Sequence, residues 1–191
     1  MRKIFGIASA MALVFALSGC AAATNSNPAN SASSSSSANQ TPDASLIPPA
    51  PDTNVKAVDA SLYDTGYSEY LFRAGNGPAW CTINADQKWV LCEQNEATAQ
   101  YKPVAVPSTC DGSYGYQIKL WESTPADGTD TAGFVCASGL YNDGSVAPAL
   151  NAGEKVTVGG ITCYVADTTV RCDNQNGQYI ALGAQVWAAK N

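Results

Sequence analysis

The residues of this 191-residue chain that could do chemistry are cysteines, carboxylates and aromatics, because the chain has no histidine. That absence removes Ser-His-Asp and Cys-His catalysis, His-ligated zinc and imidazole acid–base chemistry together. A hydrolase built on this sequence would need a carboxylate pair or a Ser-Lys dyad. Glu93 with Glu96, or Glu122 with Asp127, are the pairs close enough in sequence to consider for glycoside hydrolysis. Asp127 and Asp130, in Ala126-Asp-Gly-Thr-Asp-Thr-Ala-Gly133, could hold Ca²⁺ through loop oxygens, or could simply be a solvated hairpin tip. Asp173-Asn-Gln-Asn-Gly177 resembles the start of an EF-hand loop without its spacing, and reads as a turn. Trp80, Trp89, Trp121 and Trp187, with Tyr114 and Tyr116, could stack sugar rings or pack on neighbouring disulfides.

The seven cysteines divide into one and six. Arg2 and Lys3 precede an apolar run, Ile4 to Leu17, which is shorter than the roughly 20 residues needed to span a bilayer. Leu17-Ser18-Gly19-Cys20 resembles the lipobox of bacterial lipoprotein signals. The resemblance implies cleavage before Cys20, with residues 1–19 as signal peptide and two acyl chains on the Cys20 side, enough for stable anchoring. The expected location is the outer face of the cell membrane. Cys81, Cys92, Cys110, Cys136, Cys163 and Cys172 remain, an even number that reads as three disulfides in an exported chain. A zinc site is not supported, because no CxxC pair is present.

Charge narrows the partners. Cleavage would remove Arg2 and Lys3, two of ten basic residues against sixteen acidic ones, leaving a net charge near −8. Nucleic acid and an anionic-lipid adhesion face both require clustered Lys and Arg, and neither is expected. No motif for a cofactor occurs. From Cys20 to about residue 54 the chain is mostly Ala, Ser, Asn, Thr and Pro, and is expected to be a disordered tether.

The folded part is expected over 55–191, about 135 residues with one modest core. Short segments rich in β-branched and aromatic residues predict strands at Tyr67–Arg73, Trp80–Ile83, Trp89–Cys92, Tyr116–Trp121 and Gly133–Cys136. Further strands are expected at Lys155–Val158, Ile161–Val165, Thr169–Cys172, Tyr179–Leu182 and Gln185–Trp187. A short helix over Asp59–Tyr63 has weaker signals. Asp111-Gly112, Asp143-Gly144, Gly159-Gly160 and Asn176-Gly177 punctuate them, the last two supplying the positive φ of tight hairpins. The class is all-β: a small antiparallel sandwich or barrel built from disulfide-linked hairpins.

Two stretches are alike, Cys81 to Asn95 and Cys163 to Asn176. Each has a cysteine, a strand start, an Asp-containing turn, an apolar strand, a second cysteine and an acidic or amide run. Each reads as a hairpin with cysteines facing across adjacent strands. The expected bonds are Cys81–Cys92 and Cys163–Cys172, which leaves Cys110 with Cys136.

A wider pattern runs through Phe72, Gly77 and Cys81, then Leu91-Cys92-Glu93, Pro107, Cys110 and Phe134-Val135-Cys136. Leu150 to Gly153, Gly160 to Cys163, Val170-Arg171-Cys172 and Gly177-Gln178-Tyr179 continue it. In this order the chain resembles an uncharacterised group of small actinobacterial envelope proteins, a domain of unknown function. The chain departs from the group's pattern at Ala74-Gly75-Asn76, Pro78-Ala79 and Gln178. The resemblance spans Phe72 to Leu182 and implies fold and compartment, with no activity to carry over.

The leading expectation is a membrane-anchored envelope lipoprotein acting as a non-enzymatic binding or structural module, with an envelope protein or glycan as partner. The second is a carbohydrate-binding or glycan-hydrolysing module using the aromatics and carboxylates. The third is an inhibitor of a secreted enzyme, presenting a loop such as Thr124 to Ala132 stiffened by disulfides. Aromatics exposed in one row would favour the second, and aromatics buried on disulfides the first.

Overall fold

A computed structural model describes residues 43–102 and 104–191. The signal segment, Cys20 and the tether up to residue 42 lie outside the described residues. The described chain forms twelve strands. The first six are β1 (Lys56–Ala57), β2 (Glu69–Ala74), β3 (Trp80–Asn84), β4 (Trp89–Glu93), β5 (Gln117–Trp121) and β6 (Ala132–Phe134). The second six are β7 (Ala149–Leu150), β8 (Glu154–Val158), β9 (Ile161–Ala166), β10 (Thr169–Asn174), β11 (Tyr179–Leu182) and β12 (Trp187–Lys190). They pack as a sandwich of two six-stranded sheets, in the order β6-β5-β4-β3-β2-β7 and β1-β8-β9-β10-β11-β12.

The all-β class is as expected, but the sheets are not purely antiparallel. β1 runs parallel to β8, and β7 runs parallel to β2. Each is a two-residue strand that crosses to the other sheet. Strands this short have no alternation to read, so the sequence left both unmarked. Several expected strands also shift at their ends, the one at Tyr67–Arg73 being Glu69–Ala74. Gly183 N–H donates to the Val186 carbonyl, which makes 183–186 a turn and starts β12 at Trp187 rather than Gln185. The strand expected at Gly133–Cys136 is Ala132–Phe134, and the short helix expected at Asp59–Tyr63 is a 3-10 turn over Ala60–Tyr63, capped by the Asp59 carboxylate.

The repeat extends from the two hairpins to the whole domain. Cross-strand neighbours in the first sheet form the row Phe72, Cys81, Cys92, Ile118, Phe134. The second sheet has the row Val156, Cys163, Cys172, Ile180, Ala189. Each half is therefore one short strand followed by a five-stranded meander, and each short strand is donated to the other half's sheet. The exchange ties the two halves together by backbone hydrogen bonds as well as by packing.

Both rows lie on the inner faces, buried except at the sheet edge, where Phe134 is half-buried and Ala189 exposed. The disulfides are Cys81–Cys92, Cys110–Cys136 and Cys163–Cys172, the sequential set. In the two hairpin bonds the cysteines are directly opposite, with Cα atoms 4.0 Å apart. Their equivalent sulfurs, Cys92 Sγ and Cys172 Sγ, meet 3.8 Å apart between the sheets. Around this pair of cystines pack Phe72, Ile83, Val90, Ile118, Leu120 and Leu150 from one sheet, and Val156, Ile161, Val165, Val170, Ile180 and Leu182 from the other. Gly159 and Gly177 take the positive φ expected of them, 56° and 76°.

The domain also begins earlier than expected. Pro48 is buried, and its carbonyl accepts from Arg171 Nη1 at 2.7 Å. Lys155 Nζ reaches the Asp52 carbonyl at 3.3 Å. The end of the expected tether, 43–54, thus lies on the outside of the second sheet. Composition hid this, since a proline ring and a backbone carbonyl can dock without an apolar run.

Candidate functional site

Alternation along β3 and β4 sends Cys81, Ile83, Val90 and Cys92 inward and Trp80, Thr82, Asn84, Trp89, Leu91 and Glu93 outward. An outer face would ordinarily meet water, but all six outward residues are buried. The cover is the long connection from β6 to β7, which crosses this face as a strap. Glu93 holds it, accepting from Tyr141 N at 2.8 Å, Asn142 N at 3.0 Å and Trp80 Nε1 at 2.9 Å. Asn142 Nδ2 donates to Thr82 Oγ1 and Gln117 Nε2 to the Gly139 carbonyl. Gly144 closes the strap on the Trp80 ring, where a Cβ would sit 2.2 Å from the nearest ring atom. That contact, and not a positive φ, explains the glycine of Asp143-Gly144.

The candidate carboxylates are scattered and mostly committed. Glu93 has no exposed surface and three N–H donors on its oxygens, so it reaches no cleft with Glu96. Glu96 accepts from Tyr116 Oη at 3.1 Å. Glu122 lies over the Gly159-Gly160 turn, where a Cβ on Gly160 would be 2.7 Å from its side chain. Gln117 pairs with Glu93 and Glu122 directly follows β5, so the backbones of Glu93 and Glu122 are about 17 Å apart. Asp127 is an exposed turn residue whose Oδ1 accepts from Thr129 N at 2.9 Å, and that bond holds its carboxyl below the usual range. Asp173 forms an ion pair with Arg171 at 2.6 Å. Residues 174–178 form the tight β10–β11 turn, where Asn174 Oδ1 accepts from Asn176 N and Gln178 N. Among the described residues the one cluster with metal-ligand spacing is Cys81, Cys92 and Cys172, and all three are spent in disulfides.

The aromatics do not form one exposed row, and Trp80 does not pack on its neighbouring disulfide. Trp80 and Trp89 are 5% and 3% exposed, under the strap. Trp89 meets Tyr141 edge-to-face at 5.5 Å. Hydrogen bonding to Glu69, then burial, pushes the Tyr141 hydroxyl up to about 12. Trp187 is on the inner face and closes the sandwich edge against Phe134 at 4.8 Å, with Tyr114 5.8 Å from Phe134. The loop Thr124 to Ala132 contains no cysteine. It is closed by Thr131 Oγ1 bonding Thr124 Oγ1 at 3.0 Å, so disulfides do not stiffen it as expected.

What the fold does assemble is a cleft of about 200 Å³ on the outside of β5 and β6, lined by Tyr114, Lys119, Trp121, Asp130 and Phe134 with Thr129. Lys119 was missed. Its Nζ lies 4.4 Å from the ring centroids of both Trp89 and Trp121. Burial pushes its ammonium pKa down. The available signal was one charged residue inside the strand Gln117-Ile-Lys-Leu-Trp121. A larger hollow of about 590 Å³, between Ser45–Pro49 and the turns at 166–169 and 184–186, has Asp167 as its one charged side chain. No serine lines the Lys119 cleft, so no Ser-Lys dyad forms there.

No family model matches this chain, and neither a curated protein nor a solved structure matches it. None of these comparisons bears on the resemblance to actinobacterial envelope proteins, which rests mainly on the order of the cysteines.

Proposed function

We propose that this chain is an envelope lipoprotein, held to the membrane through Cys20 and related to the actinobacterial envelope proteins it resembles, whose sandwich domain is a non-enzymatic binding module. Its lipobox-like segment and its cystines support the compartment. The observation that carries the binding reading is the division of labour on the first sheet. Glu93, one of the candidate carboxylates, is buried and occupied by the strap. Lys119 and the rings of Tyr114 and Trp121 face an open cleft instead. A rigid surface with a few placed polar groups is what recognition requires. Glycan recognition gains support from Trp121 and Tyr114, while hydrolysis does not, because Glu93 is buried away from Glu96 and Asp127, the candidate partner of Glu122, is tied into its own turn by Thr129 N.

Two measurements test the proposal. Cys20→Ala should release the protein from membranes or leave its signal uncleaved, and palmitate labelling as strong as in the parent would refute the anchor. Purified protein should leave peptide, ester and glycan substrates unchanged, and turnover abolished by Glu122→Gln would establish an enzyme instead.

A further inference from the structure

The Lys119 cleft points to a ligand, an inference that rests on the binding-module reading. Lys119 sits between two indole faces, an arrangement in which ring electrons partly replace water around a cation. Among the described residues no carboxylate pairs with it, although the chain has sixteen acidic residues. A half-buried cation without a counter-ion has paid part of its desolvation before any ligand arrives.

The space beside it is built in. Gly133 on β6 is directly opposite Lys119, and a Cβ there would meet nothing within 4 Å. Its φ is not in the left-handed region, so the backbone does not require glycine. Glycine inside a strand otherwise marks a bulge, a bend or a place where a ligand approaches closely. Here it leaves the hollow open.

The walls and rim restrict what fits. Trp121 and Tyr114 are half-buried and line the cleft, with Lys119 Nζ over the Trp121 ring and Phe134 tilted against Tyr114. Thr129 and Asp130 are exposed at the rim and line the same cleft. We propose that this cleft is a subsite for a carboxylated sugar unit of an acidic glycan, a uronate. Its carboxylate pairs with Lys119, its C–H face stacks on an aromatic ring, and its hydroxyls donate to Asp130 and Thr129. Asp130 opposes a polyanion such as a phosphate or sulfate ester, whereas a sugar with one carboxylate and several hydroxyls answers both charges. At about 200 Å³ the cleft is below the roughly 300 Å³ at which drug-sized sites begin, so it accepts one ring. Capture of a peptide carboxylate typically uses a nest of backbone N–H groups, whereas this cleft offers one ammonium, aromatic rings and a rim of Thr129 and Asp130.

The test is titration of the full-length protein in detergent, followed by tryptophan fluorescence. The probes are trigalacturonate, its methyl ester and a tripeptide with a free C-terminus. Trigalacturonate should bind at least about tenfold more tightly than its ester, as a desolvated charge pair requires. Lys119→Met should reduce the acid to the affinity of the ester and leave the ester unchanged. Gly133→Val should abolish both by filling the hollow, with melting temperature and circular dichroism retained. Should Gly133→Val destabilise the fold, Trp121→Ala replaces it and should weaken both sugars about tenfold through lost stacking. Equal affinity for acid and ester, full binding by Gly133→Val, or tighter binding of the tripeptide would overturn the assignment. Absence of sugar binding in a protein that still fractionates with membranes and turns nothing over would overturn this subsite alone. Turnover of the glycan would overturn the module reading.

Discussion

Mild reduction should open the three disulfides in two steps, because the fold shields two of them. Cys81, Cys92, Cys163 and Cys172 are at most 1% exposed, while Cys136 is exposed and Cys110 half-buried. A phosphine reductant can therefore reach Cys110–Cys136 in the native state and the other two only when the sandwich opens. The 26-residue separation of Cys110 and Cys136 corresponds to about 3.5 kcal/mol of loop-closure entropy. The separations of 11 and 9 residues give about 2.8 and 2.6 kcal/mol for the hairpin cystines. For a domain of about 150 residues, with an unfolding entropy near 2.1 cal/mol/K per residue, 3.5 kcal/mol is a fall in melting temperature of about 11 °C. The assay is timed reduction of native protein, quenched with iodoacetamide and mapped by mass spectrometry, with calorimetry on each species. Cys110 and Cys136 should be labelled first, as a pair, in a species that stays folded and melts about 11 °C lower. The remaining four should be labelled together, at the rate of global unfolding. A thiolate at Cys92 or Cys172 would lie within 3.8 Å of the other cystine, where exchange ties their fates. Labelling of Cys81 or Cys163 before Cys110 would refute the shielding argument. So would a singly reduced species with an unchanged melting temperature.

Gly144→Val places carbon inside the Trp80 ring and should cost about 1–3 kcal/mol by overpacking, read as a lower melting temperature with a red-shifted tryptophan emission. Glu154 accepts from Lys56 Nζ at 2.8 Å and from Asn151, first the lysine and then the amides holding its carboxyl down to about 2. Since the folded pKa is the lower one, its contribution is present above the unfolded value of about 4.3 and is lost as pH falls towards 2. Glu154→Gln should flatten that part of the stability–pH curve, while costing under about 1 kcal/mol at neutral pH because Lys56 is exposed. Arg171→Lys keeps the charge but loses the planar fork that bonds Asp173 and the Pro48 carbonyl. Hydrogen exchange over Leu46–Asp52 should accelerate, with the two sheets unaffected.

The doubling of the fold gives the core a physical logic. Equivalent cystines meet at its centre, and each half's meander is completed by the other half's first strand. Removing either short strand would leave β8 or β2 as the sheet edge, with the backbone groups it now bonds left unpaired.

The all-β class and the two hairpin disulfides were legible because they are local, and Cys110–Cys136 followed as the remaining pair. Cysteines nine and eleven residues apart around an Asp-containing turn can face each other across the two strands of a hairpin, and Gly159 and Gly177 supply torsions that other residues resist. The two parallel strands were not legible, because two residues are too few to show a period. The docking of Pro48 escaped notice because its partner, Arg171, is 123 residues away.

The same distinction governs the site. Alternation determines that Trp80, Glu93 and Lys119 share the face opposite the disulfides. It does not determine what covers that face. Whether Glu93 is a buried anchor or an accessible carboxylate, and whether Trp121 borders a cleft while Trp89 does not, depends on where the strap from β6 to β7 lies. That path is fixed by hydrogen bonds spanning 48 and 49 residues, from Tyr141 and Asn142 to Glu93. A period of two residues carries no information over that distance, so the sequence alone determined the faces, and only tertiary packing decided which parts of them stay open.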